Sequence, residues 1–84
     1  MTTEDRIRER LHDLETTVWV GKAGVESAAD ELASQLEERE AVKVSFQRSA
    51  TAGEGTESVA EALADAAEAE LFETRGRTAV YYRA

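Results

Sequence analysis

The chain has 84 residues, no cysteine and one histidine, with 18 Asp plus Glu against 10 Lys plus Arg and a formal net charge of −8. That length is read as one domain over residues 1–84, with a modest core and little room for a deep cofactor cleft. Absent cysteine excludes disulfides and thiolate metal sites, and His12 alone cannot form a histidine cluster, so no cofactor and no metal are expected. No apolar run nears the ~20 residues of a membrane helix. The N-terminus is charged from Glu4 onward, so the expectation is a cytoplasmic protein with no membrane partner.

At face value the acidity argues against nucleic acid, which wants a basic partner. Two details qualify it. Lys22 and Lys43 are the only lysines, the other cations being arginine, and the chain is alanine-rich without proline. Such a composition suits a salt-loving cytoplasm, where carboxylates keep the surface hydrated and repulsion is screened. Equal stability with and without molar salt would remove that reading.

A first helix is expected from Thr3 to Glu15. Thr2 or Thr3 can cap it, and Glu4 and Asp5 suit its positive end. Ile7, Leu11 and Leu14 share one face. Arg6 and Arg10 share another, with Arg8 and His12 near. That side is either a solvated surface or an edge that contacts phosphates. Thr16–Val20 is β-branched and aromatic, so a strand. Val18 and Val20 point one way and Trp19 the other. Packing beneath the first helix is the expected role of Trp19, with a stacking platform as the alternative.

Gly21-Lys22-Ala23-Gly24 follows at once. Glycines suit places where the backbone turns tightly or lies close to something else. The loop precedes a helix N-terminus, where unpaired amides and the helix dipole favour an anion. Strand, Gly-x-x-Gly and helix together form a shape fitted to a phosphate backbone, although short glycine pairs are also ordinary turn material. The second helix is expected over Val25–Glu40, with Val25, Ala28, Ala29, Leu32 and Leu36 as its apolar stripe. Glu26, Asp30, Glu37 and Glu38 form its solvated face; their spacing matches no calcium-binding loop.

Ala41–Arg48 alternates, with Val42, Val44 and Phe46 inward. Two strands joined by a helix predict a parallel pair with a right-handed crossover. Residues 49–55 read as a small-residue, mobile loop. Thr56 is expected to cap a third helix whose buried stripe is Val59, Leu63, Ala66 and Ala67, fading near Glu68–Glu70. Leu71–Thr74 and Thr78–Tyr82 form a hairpin across Arg75-Gly76-Arg77. Gly76 supplies the turn. Arg75 and Arg77 are cations on an exposed tip, and arginine suits both phosphates and bases. One of Tyr81 and Tyr82 should face the core. The order α-β-α-β-α-β-β predicts an α/β (α+β) two-layer sandwich with a four-stranded mixed sheet.

Three motifs in this order resemble those of the CRM domain (chloroplast RNA splicing and ribosome maturation) in its stand-alone, YhbY-like form. They are Val18-Trp19-Val20-Gly21-Lys22-Ala23-Gly24-Val25, Leu36-Glu37-Glu38-Arg39-Glu40-Ala41-Val42-Lys43-Val44 and Arg75-Gly76-Arg77-Thr78-Ala79-Val80-Tyr81-Tyr82-Arg83. With the acidic composition, the resemblance is to a member from a halophilic archaeon. It implies a fold similar to the C-terminal domain of translation initiation factor three, and RNA binding without catalysis. Stand-alone members associate with precursors of the large ribosomal subunit. The loop is similar to the backbone clamp of KH domains.

The RNA-binding residues implied are Gly21, Lys22, Ala23 and Gly24. The residue reading adds Arg75, Arg77, Arg6 and Arg10. Family members are typically basic, and this chain departs from that; the cations nevertheless concentrate on loops and the first helix, and the acids on helices two and three. Arg39 and Lys43 match the second motif and fit either a structural or an RNA-contacting role. The expected partner is therefore RNA, ribosomal RNA or a large-subunit precursor foremost, with no small-molecule substrate and a monomeric state. The alternative is a protein-interaction module whose acidic helices contact a basic ribosomal protein. No nucleophile–base pair is visible, so an enzyme is not expected.

Overall fold

The computed structural model describes residues 2–22 and 24–83. Helix α1 (Thr3–Arg10) begins with a capping box. The Thr2 hydroxyl accepts from the Asp5 amide at 3.1 Å, and the Asp5 carboxylate accepts from the Thr2 amide at 3.4 Å. This satisfies two of the amides that a helix start leaves unpaired. The helix stops short of Glu15 and tightens into a 3-10 turn over Leu11–Asp13.

The remaining elements are β1 (Thr16–Val20), α2 (Val25–Leu36), β2 (Ala41–Phe46), α3 (Arg48–Thr51), α4 (Thr56–Ala67), β3 (Glu70–Arg75) and β4 (Thr78–Tyr82). The four strands form one mixed sheet in the order β1-β2-β4-β3. β1 and β2 are parallel, as a β-α-β unit requires, and the other two pairs are antiparallel.

One sheet face carries Val18, Val20, Val42, Val44, Phe46, Ala79 and Tyr81, all buried against the stripes of α2 and α4. The leading α2 residues there are Leu32 and Leu36; α4 supplies Val59 and Leu63. Burying each such aliphatic side chain contributes about 1.5–3 kcal/mol. Tyr81 brings a hydroxyl into this core and satisfies it by donating to the Ala60 carbonyl at 2.8 Å. Ile7 and Val80 are buried apart from that cluster, because α1 lies across the other face. There Arg8 sits over the Phe72 ring at 5.6 Å, Phe72 meets Tyr82 edge-on, and the Tyr82 hydroxyl donates to Glu4 at 3.2 Å.

The elements depart from the expected ones at several points. α2 ends at Leu36 instead of Glu40, where the amides of Glu38 and Arg39 both turn back onto the Gln35 carbonyl. α4 is capped by Gly55 at φ +85°, so Thr56 is its first residue and not its cap. Ala60 and Ala64 lie in its buried stripe and Ala66 is exposed. The stretch read as a mobile loop opens with α3, which seats Ala50 against the core. Trp19 is 61% exposed and does not pack beneath α1. α1 meets β3 and β4, whereas β1 is the edge strand at the far side of the sheet.

Candidate nucleic-acid interface

Strand direction decides what meets at each end of the sheet. The C-termini of β1, β2 and β3 and the N-terminus of β4 share one end. The Gly21–Gly24 loop, the start of α3 and the hairpin tip therefore gather there. Two backbone bonds join them. The Gln47 amide donates to the Val20 carbonyl at 2.8 Å, and the Phe46 amide donates to the Arg77 carbonyl at 2.7 Å.

Within the loop, the Gly24 amide donates to the Gly21 carbonyl at 3.0 Å, closing a turn with Lys22 exposed. Ala23, expected in the RNA-binding set, lies outside the described residues. The two glycines have different reasons to be glycine. A Cβ on Gly21 would meet the Gln47 side-chain oxygen at 2.7 Å, so Gly21 permits a close approach. Gly24 has φ +88° and ψ −177°, a region that only glycine occupies freely, and a Cβ there would meet nothing within 4 Å. Gly24 is also the N-cap of α2, and no side chain caps that helix start. The first-turn amides are thereby left to solvent or an anion.

At the hairpin tip Gly76 has φ +59°, while Arg77 has no positive φ. This is the type II′ pattern that matches strand twist. The Thr78 hydroxyl donates to the Arg75 carbonyl at 2.8 Å and steadies the turn. Lys22, Arg48, Arg75 and Arg77 are all exposed at this end, and none forms a salt bridge among the described residues. Four such cations converge on one edge of an acidic body. Glu26 and Glu54 border the same end. The sequence does not mark Arg48 as a site residue, because it reads as the last residue of β2. Strand direction alone brings it beside the loop.

Arg6 and Arg10 are placed differently. Arg6 bonds Glu40 at 2.9 Å, just before β2 begins and so toward the opposite end of the sheet. Arg10 lines a cavity of about 350 Å³ with Glu38, Arg39 and Glu40. The structure does not bring either to the loop. Among the described residues no three His, Asp or Glu side chains are grouped to hold a metal ion, and no helix is long and apolar enough to cross a membrane. The two tyrosines are the shifted groups. Burial pushes the Tyr81 hydroxyl well above its ordinary range, and Tyr82 is raised first by its own desolvation and then by its bond to Glu4.

Fold and site together define a small α+β domain that presents a glycine-flanked turn, a helix start and paired hairpin arginines at one end of a mixed sheet. The chain belongs to the CRS1/YhbY (CRM) domain family, whose model matches residues 2–83. It is 38% identical over 77 residues to a protein of Methanocaldococcus jannaschii named a probable RNA-binding protein, covering 92% of this chain and 58% of that one. The chain thus spans little more than half the length of that relative. A Bacillus subtilis protein of like name is 36% identical over 78 residues, covering 92% of this chain and 79% of its own. The solution structure of a hypothetical Staphylococcus aureus protein, described as a candidate RNA-binding protein, superposes with a TM-score of 0.75 at 26% identity. That match covers 100% of this chain and 88% of the other. The names of these relatives describe RNA binding and not an enzymatic reaction.

Proposed function

We propose that this chain is a monomeric, cytoplasmic RNA-binding domain that recognises structured RNA, ribosomal RNA or a large-subunit precursor foremost, and acts in maturation of that subunit. The observation that carries the reading is the convergence of Lys22, Arg48, Arg75 and Arg77 around the Gly21–Gly24 turn. Loop and helix amides would hold a phosphate, and the four cations would neutralise its neighbours. Arg6 and Arg10 would serve at most as outlying phosphate contacts, since Arg6 already has a carboxylate partner. The names of the relatives support RNA as the ligand class.

The test is crosslinking and sequencing in the source cell at its native salt, with Lys22→Glu in parallel. Recovery of large-subunit RNA by the unmodified chain, and its loss in the variant, is the expected result. Equal recovery by both removes the loop from the account. A second reading rests on the exposed acids Glu26, Asp30, Glu37, Glu57, Glu61 and Asp65 along α2 and α4. These could dock a basic ribosomal protein. Reversing Glu26, Asp30 and Glu37 would then abolish protein binding and spare RNA binding.

A further inference from the structure

We infer that Trp19 and the open sheet face beside it form a stacking platform for an unpaired base, so that the RNA bound carries a single-stranded segment next to its structured part. This rests on the RNA-binding reading above and names the ligand more closely. Trp19 is the chain's one tryptophan and, among the described residues, the large hydrophobic side chain left exposed, at 61%. Strand alternation sets it on the opposite face from buried Val18 and Val20, two residues before Gly21, and at this sheet edge it also lines a cavity of about 270 Å³ with Ser27, Ala28 and Glu31 of α2.

The register shows what shares that face. Trp19 pairs with Ser45, Ser45 with Thr78, and Thr78 with Arg75, giving one row across all four strands. At about 4.8 Å per strand the row spans about 14 Å. The next row brings Lys43, Val80 and Glu73 together. Between the two rows and the turn after α1 is a shallow cavity of about 100 Å³ whose walls include His12, Lys43, Arg75 and Thr78. An aromatic ring at one end of the row and cationic or hydroxyl groups along the rest match a base followed by its phosphates. Glu73 is the one acid in that wall.

Charge favours RNA over the other occupants. A second copy of the chain would set a net charge of −8 against −8. RNA would meet the cationic end of the molecule, and sheet faces carrying aromatic side chains commonly stack unpaired bases. The indole also sits close enough in sequence to the Gly21–Gly24 turn that one strand would engage both.

The single tryptophan makes the test direct. Two end-labelled probes are used, a blunt RNA duplex and the same duplex with an oligouridine overhang. Affinity is read by anisotropy, and stacking by quenching of the intrinsic tryptophan emission. Trp19→Ala should bind the overhang probe about 5- to 150-fold more weakly than the unmodified chain, with little change on the blunt duplex. Trp19→Phe should keep most of the affinity, and the overhang probe should quench the emission saturably. Circular dichroism confirms that the variants fold. Equal affinity of Trp19→Ala and the unmodified chain for the overhang probe, without quenching, overturns the platform and leaves RNA binding by the loop intact. Binding of neither probe overturns both readings. Emission that changes with protein concentration alone overturns the platform in favour of a contact between copies.

Discussion

The two loop glycines make opposite predictions for the same substitution. Gly24 sits at φ +88°, ψ −177°, and a Cβ on it would touch nothing within 4 Å. Gly24→Ala therefore costs backbone strain alone, about 1–3 kcal/mol. Alanine also narrows the unfolded ensemble and returns about 0.4–1 kcal/mol. Taking mid-range values, about 2 less about 0.7, the net loss is about 1.3 kcal/mol, and a domain of this size loses about 4–8 °C in Tm per kcal/mol. The mirror-image residue separates strain from everything else, since a D-residue at these angles occupies ordinary extended backbone. Gly24→D-Ala, made by chemical ligation, should match or exceed the glycine parent. Gly21→Ala meets the Gln47 side-chain oxygen at 2.7 Å, but Gln47 is exposed and can swing aside, so its melting point should stay within a degree or two of the parent. The assay is thermal melting by circular dichroism. Gly24→Ala melting at or above the parent would refute the argument, because it would mean the loop does not hold that backbone.

Three further outcomes follow from the packing and the ion pairs. Tyr81→Phe removes the hydroxyl bond to Ala60 and should cost about 1 kcal/mol at neutral pH, read by urea titration. The same variant tests alkaline stability. Burial holds the Tyr81 hydroxyl protonated in the folded state, while the unfolded chain releases its proton above about pH 10. Stability should thus fall by about 1.4 kcal/mol per pH unit as pH rises past that point, and Tyr81→Phe should flatten the decline; an unchanged slope would exclude Tyr81 as its source. Arg6→Gln breaks a solvent-exposed pair with Glu40 and should shift stability by no more than about 0.5 kcal/mol in the same titration.

Much of the fold is legible in the residues. The alternation of Val42, Val44 and Phe46 marks a half-buried strand, and Arg75-Gly76-Arg77 marks a hairpin, because each depends on local pattern. The sequence offers Thr2 or Thr3 as the cap of α1, and only the structure pairs Thr2 with Asp5 in a capping box. Helix α2 overruns in the sequence because Glu37, Glu38 and Arg39 are good helix formers; only the need to return to β2 ends it at Leu36. α4 offers alanine on several sides, so periodicity cannot sort Ala60, Ala64 and Ala66 into buried and exposed. The glycines of the loop are readable in kind, as turn and close approach, with Gly24 serving the first and Gly21 the second. The partners of the loop are less so. Arg48 joins it, and Arg6 does not, through strand direction and pairing across the sheet, which are long-range. Trp19 illustrates the same limit. Its exposure follows from β1 being an edge strand that α1 does not cover, and nothing near Trp19 in the chain encodes the strand order.

The central claim is that RNA is held at the end of the sheet where Lys22, Arg75 and Arg77 converge. The most direct measurement is the salt dependence of affinity for a labelled structured fragment of large-subunit RNA. It compares the parent, the triple variant Lys22→Gln/Arg75→Gln/Arg77→Gln, and the double variant Arg6→Gln/Arg10→Gln. Removing one cation from a phosphate should lower the slope of log K against log salt by about 0.7–0.9. The triple variant should therefore bind more weakly with a slope shallower by about 2.1–2.7, and the double variant should stay near the parent. A triple variant that is folded and binds with the parent's affinity and slope would contradict the account.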